Sequence, residues 1–270
     1  IVMERSLPLC CAAGRIGLIV PVSSISTEGY SSLQSLLLSY PGHFSSYDDR
    51  PARLFDGLEH IQLTIHLIHK KDTTTPRHFV TECYRWSTTE RPTLFPLLEY
   101  EPVCGTYLPG CLPKLSTKHE SSVLRKLWQD RKTLGASFAR LGGETVHYSR
   151  KVHHFLQALD FVPKGYDGKG RLRSPSELKP LILSTKAQAA VVFCILNSTL
   201  FRWFINVFTD CRHVNKREVE GFHCDIDGLI AQAGEDKVAA LAAALSKSLK
   251  DTAEFRDMKF AHDSLRVQCI

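Results

Sequence analysis

Apolar and polar positions alternate with a period near two along residues 58–70. Ile61, Leu63, Ile65 and Leu67 are interleaved with Gln62, Thr64, His66 and Ile68, a pattern that predicts a strand with one face turned inward. A second short apolar run, Gly14-Arg-Ile-Gly-Leu-Ile-Val-Pro21, predicts a strand over 15–20 that Pro21 ends. Residues 2–13 read as a helix that Pro8 kinks and Gly14 stops. Tyr30, Leu33, Leu36 and Leu37 recur at helical spacing, which places a helix over 27–40, broken by Pro41-Gly42. A strand is expected over 43–47 and another over 79–86. Ser116-Thr-Lys-His-Glu120 can cap a helix running to Leu134, with Val123, Leu124, Leu127 and Leu134 as its buried stripe. A strand over 146–152 follows. Residues 161–180, rich in Gly, Lys, Arg and Pro, predict a long exposed loop or hairpin. Residues 187–208 predict one hydrophobic helix. From Asp236 an Ala-rich helix carries Val238, Leu241, Leu245 and Leu249 on one face.

The succession of helix, strand, helix, strand, loop and strand up to residue 72 predicts an α/β unit. Asp72-Thr-Thr-Thr-Pro76 is a linker candidate. The expected domains are 1–72, 73–225 and 226–270. At 270 residues, 43% hydrophobic and 23% charged, the chain has the composition of a globular protein with one large domain or two. Asn197, Ser198, Arg202 and Asn206 interrupt its longest apolar run. A membrane span needs about 20 mostly apolar residues, so no membrane partner is expected. Glu4 and Arg5 interrupt the first apolar stretch, so no secretory signal is expected there. Nine cysteines without a CxxC pair then predict reduced thiols and a cytoplasmic location. Cys211, His213, His223 and Cys224 lie close in sequence, but their spacing does not match common zinc sites, and no metal is expected. The net charge of +6 suits a polyanion without naming one.

Residues 14–71 resemble the adenine-specific DNA methyltransferase half of type IIG-like restriction–modification enzymes. Gly14-Arg-Ile-Gly-Leu-Ile-Val-Pro21 is similar to the strand that follows that family's catalytic Asn/Asp-Pro-Pro-Tyr/Phe loop. Asp48-Asp-Arg-Pro-Ala-Arg-Leu-Phe-Asp-Gly57 looks like the loop whose aromatic packs on the extruded base, and Phe55 matches that aromatic. Leu112-Pro-Lys-Leu115, Tyr148-Ser-Arg150, Leu196–Trp203 and Asp210–Val219 are similar to pieces of the family's target-recognition region. The resemblance implies the second half of a Rossmann-type methyltransferase sheet, whose last two strands form an antiparallel pair. An α+β target-recognition region and a helical tail would follow. It also implies S-adenosylmethionine as cofactor and double-stranded DNA as partner. No two prolines are adjacent anywhere in the chain, and the family's glycine-containing cofactor turn is missing. The resemblance therefore implies that both belong to an N-terminal half outside this sequence, which would be a further partner. Alone, the chain is expected to be inactive, and to be poorly soluble or oligomeric because a half-sheet leaves an edge and an apolar face uncovered.

Candidate site residues follow. Phe55 either stacks on a flipped base or covers the end of the sheet as core. Arg50 and Arg53 either grip phosphates or pair with Asp48, Asp49 and Asp56. Arg150 and Lys151 lie in a cluster with His147, Tyr148, His153 and His154, followed by Lys169, Arg171 and Arg173 on a Gly-containing loop. Such residues either reach phosphates and guanine edges or form a solvated surface. Arg212, Asn215 and Lys216 follow the hydrophobic helix, where positive charge is favourable in itself or serves DNA. Tyr84, Trp86 and Trp203 are either groove-facing or core. Two other function classes remain: a non-catalytic DNA-specificity module beside a separate catalytic chain, and a small-molecule methyltransferase fragment with an unrelated appended domain.

Overall fold

A computed structural model describes residues 1–71, 73–75, 77–152, 156–259 and 264–270. The chain forms mixed α/β structure in two compact units, residues 1–129 with 203–212 and residues 130–202 with 213–270.

The first unit begins with α1 (Val2–Leu9), β1 (Arg15–Pro21), α2 (Ser23–Ser26) and α3 (Ser31–Leu37). Then come β2 (Gly42–Tyr47), β3 (Leu63–His69), β4 (His78–Tyr84), β5 (Glu101–Pro102) and α4 (Lys118–Leu127). One five-stranded sheet has the order β1-β3-β2-β4-β5. β3 runs antiparallel to both neighbours, and β2 is parallel to β4. β4 therefore joins this sheet although it lies beyond residue 72, where the sequence suggested a linker; Asp72 and Pro76 themselves lie outside the described residues. β1 is an edge strand, which is why Pro21 is tolerated within it.

The alternation in β3 points the opposite way from the expected one. Thr64, His66 and Ile68 are sealed, whereas Leu67 is 49% exposed. The reason is that both faces of the sheet carry cover. Tyr47, Leu54, Leu63, Trp86 and Leu94 form a core on one side. Met3, Leu7, Leu37 and Ile68 form one on the other. Period-two patterning identifies a strand but not which face is better covered.

Unit 2 contains β6 (Glu144–Ser149), β7 (Ala158–Leu159), β8 (Gly165–Asp167), β9 (Leu172–Arg173) and β10 (Leu178–Leu183). These are followed by α5 (Lys186–Leu196) and α6 (Thr199–Phe208), whose residues from 203 onward belong to unit 1. α7 (Lys216–Glu220), α8 (Ile226–Ala233), α9 (Glu235–Asp251), β11 (Glu254–Lys259) and β12 (Ser264–Cys269) complete it. Two sheets form, β10-β6-β7 and β11-β12-β8-β9.

Two expectations are corrected. The helix expected over 187–208 is two helices. Asn197 hydrogen-bonds Ala158 and the Phe193 carbonyl, and the Ser198 hydroxyl accepts the Phe201 amide, so this pair ends one helix and caps the next. The expected helical tail is helical only to Asp251; β11 and β12 then extend a sheet through pairing with β8. Of the two readings for 161–180, a loop or a hairpin, the structure has the hairpin, β8 with β9, and β10 follows it. Among the described residues no single helix is long and apolar enough to cross a membrane.

Candidate nucleic-acid interface

In unit 1, Phe55 sits on the long connection between β2 and β3, with its side chain 44% exposed. The connection is held by two buried aspartates. Asp48 Oδ1 accepts from the Asp49 amide at 2.8 Å and from Gln62 Nε2 at 3.2 Å, and Oδ2 takes Arg85 Nε at 2.8 Å. Asp49 Oδ2 accepts the His60 amide at 2.9 Å, while Oδ1 is held by Arg212. Burial, the largest single influence, opposes ionisation of Asp49, but hydrogen bonds from Arg212 and the His60 amide keep its carboxyl below the usual range. From the sheet side, Arg91 donates to the carbonyls of Arg53 and Leu54 at 3.3 and 2.9 Å, the residues next to Phe55. The crevice beneath the ring, walled by Tyr47, Asp49, Leu54, Leu58 and Leu63, has only about 10 Å³ of free space.

The neighbouring cations are already engaged. Arg53 pairs with Glu59 at 2.8 Å. Arg50 Nη2 lies 3.1 Å from His60 Nδ1. Arg212, besides its link to Asp49, donates to Gln62 Oε1 at 2.8 Å. Arg53 thus has Glu59 rather than Asp48, Asp49 or Asp56 as its partner, Arg50 lies against His60, and the arginine that meets Asp49 is Arg212. Trp86 is buried, Tyr84 is half-buried beside it, and Trp203 donates to Glu120 at 2.8 Å, so none stands out as a free ring.

The basic residues of unit 2 fall into two groups. At the β8–β9 turn, Asp167 Oδ1 accepts the Lys169 and Arg171 amides at 2.9 Å each, and Oδ2 takes Arg171 Nε at 2.9 Å and Arg173 Nε at 3.4 Å. The Arg171 amide leads the donors that draw the Asp167 carboxyl down to about 2. This turn presents Lys169 outward. The second group surrounds the end of β6. Lys151 pairs with Glu177 at 3.2 Å, and the Arg150 carbonyl accepts the Val214 amide at 2.8 Å, which brings residues 213–217 beside 150–151. Lys216 pairs with Glu220 at 3.1 Å, and Asn215 starts α7, its amide bound to Glu218 at 2.7 Å. Tyr148 is buried and burial pushes its hydroxyl to about 12. His153 and His154 lie outside the described residues. Arg150 and Lys169 are exposed and have no carboxylate partner among the described residues.

Sequence reasoning missed Arg85, Arg91 and Asp167. Asp167-Gly-Lys-Gly170 carries an audible turn signal; the two arginines carry none, because their partners are distant in sequence. Ser24 Oγ lies 3.2 Å from His66 Nε2, a pairing reminiscent of a nucleophile and its base. Both are buried and His66 Nδ1 has no partner, so the pair lacks substrate access and an orienting carboxylate. Among the described residues no cluster of three or more His, Cys, Asp or Glu is arranged to hold a metal ion. The strands β1, β2 and β4 run on into Val22, Asp48 and Arg85. No glycine stands at those turns. No protein-family model matches the chain, and no curated protein matches it.

Proposed function

We propose that this chain is part of a site-specific DNA adenine methyltransferase of a restriction–modification system, acting on the exocyclic amine with S-adenosylmethionine as donor. The observation that carries this reading is the exposed ring of Phe55 on a connection clamped by Asp48, Asp49 and Arg91. Chemistry on a base in a duplex requires its extrusion, and a fixed aromatic can replace part of the lost stacking. The antiparallel pairing of β2 with β3 agrees with the closing strand pair implied by the resemblance. Arg150 and Lys169, exposed and unpaired, suit phosphates. As the resemblance implies, the methyl donor would be held by the N-terminal half of such an enzyme.

The missing adjacent prolines and cofactor turn favour a second reading, a non-catalytic DNA-specificity module beside a separate catalytic chain. Two measurements separate the possibilities. In a duplex carrying 2-aminopurine at the target adenine, base extrusion raises fluorescence. With the upstream polypeptide supplied, wild type is expected to give this rise and to transfer methyl groups, and Phe55→Ala to lose most of both while still binding DNA. Binding without transfer supports the specificity module. Duplex affinity that is insensitive to salt between 50 and 200 mM would remove both readings, since a phosphate-binding protein loses orders of magnitude over about that range.

A further inference from the structure

Unit 2 holds a cleft of about 770 Å³, inside the span of about 300–1,000 Å³ typical of small-molecule sites. Its walls come from the ends of β6 and β10, from the 174–177 turn and from β12. Leu178 and Val267 supply an apolar floor. Gln157 and Gln268 bring side-chain amides to it. Gln268 Oε1 is taken by the Lys164 amide at 3.2 Å, which leaves its NH2 group to donate. Lys151 and Arg173 stand at the rim.

The cations are only loosely held. Arg173 Nε lies 3.4 Å from Asp167 Oδ2, an oxygen that Arg171 already approaches at 2.9 Å. The Nη groups of Arg173 have no other partner among the described residues. Lys151 and Glu177 form a half-exposed pair at 3.2 Å, of the kind worth little in water and readily exchanged. Over residues 151–179 there are six cations (Lys151, Lys164, Lys169, Arg171, Arg173, Lys179) against three acids (Asp160, Asp167, Glu177). The occupant this chemistry fits has an anionic group, a flat apolar body and polar edges that match amides.

We infer that this cleft binds one nucleotide unit, with the base on the Leu178–Val267 floor, its edge on Gln157 and Gln268, and its phosphate on Arg173 and Lys151. The inference rests on the DNA reading above for the source of that nucleotide, an unpaired residue displaced from a duplex; a free mononucleotide offers the same chemistry. Burial of the base against aliphatic side chains and a phosphate contact together give a preference on the order of tenfold or more.

The test uses the full chain with three probes: dAMP, a fully paired short duplex, and the same duplex with one extrahelical adenine nucleotide. Affinities are measured by calorimetry or anisotropy for wild type, Ser176→Trp, which fills the exposed mouth, and Arg173→Ala. Thermal unfolding checks that each variant is folded. The expected result is an extrahelical-over-paired preference of about tenfold that both variants lose while keeping paired-duplex binding. If dAMP binds and both variants abolish it, but the two duplexes bind alike or not at all, the site takes the free nucleotide and the DNA source is wrong. If wild type binds paired duplex in a salt-dependent way yet neither dAMP nor the extrahelical nucleotide gains anything, the cleft inference falls while the DNA reading survives. Preference that persists unchanged in both folded variants overturns the inference equally.

Discussion

His66 lies at the middle of the central antiparallel strand of unit 1, fully buried, with only the Ser24 hydroxyl near its ring nitrogens. Burial pushes its pKa from 6.5 down to about 4, because a charged imidazole there has neither water nor a counter-ion. Below its unfolded pKa the unfolded chain takes up a proton that the folded chain refuses. The stability tied to neutral His66 is therefore complete above pH 6.5 and is lost as pH falls from 6.5 towards 4. The loss amounts to on the order of 3 kcal/mol, from about 1.4 kcal/mol per unit. Denaturant unfolding across that window is expected to show it, and His66→Leu to flatten the slope by that amount. Burial also lowers His78 and His43, so the difference between wild type and variant is the quantity to read. Equal slopes would assign the pH dependence elsewhere. The sequence showed His66 as a member of an alternating strand without saying which face is covered; Ser24 and the Phe44 ring lie against it, contacts that a local pattern does not reveal.

Helix α6 ends against a buried cation. Lys114, 2% exposed, sends Nζ to the carbonyls of Val207 at 2.9 Å and Thr209 at 2.6 Å, and its own amide also reaches Val207. These are the carbonyls that a helix C-terminus leaves without partners, and positive charge is favourable at that end. Lys114→Met keeps the length of the side chain and removes the donor. The expected cost is about 1–3 kcal/mol, from the Thr209 carbonyl left unsatisfied while Val207 keeps the Lys114 amide, measured by denaturant unfolding of the purified protein. A change below 1 kcal/mol would mean that water replaces the amine. This contact spans more than ninety residues in sequence, as the ties between Arg212 and Asp49 span more than one hundred and fifty. That separation explains what was legible. The strands at 15–21, 42–47 and 63–69 were visible from short-range alternation, and Phe55 stood out between charged turn residues. Leu265, Val267 and Cys269 alternate with Arg266 and Gln268, so β12 was readable too, but the Ala-rich helix before it suggested that the helix simply continued to the end. For Arg53 a carboxylate partner was one of two readings, but its identity as Glu59, and the engagement of Arg171 and Arg212 by aspartates, were not readable, because a guanidinium looks the same in sequence whether its partner is a phosphate or a carboxylate.

At the scale of the whole molecule, the open feature is the border of the five-stranded sheet. Among the described residues β1 pairs with β3 and with no other strand, so its other side is an open edge. On the face beside it, Ile19 is 48% and Leu67 49% exposed, with Gly17 directly opposite Leu67. An apolar, unpaired strand edge is a template for adding another strand. The charge of +6 opposes association of two copies, but its effect fades once salt shortens the screening length to about 10 Å near 0.1 M. In isolation the chain is therefore expected to self-associate, and more so at 0.3 M than at 0.03 M salt. Sedimentation velocity over a concentration series measures this directly. Placing like charge on the border, with Ile19→Lys and Leu67→Lys together, restores repulsion and removes the apolar patch, so the double variant is expected to sediment as a monomer where wild type does not. Both positions are half exposed, so the folded core should survive, and far-ultraviolet circular dichroism checks that it does. A wild-type chain that stays monomeric at high salt would show that the edge is protected by its own twist and shortness, and that the sheet needs no neighbour along β1.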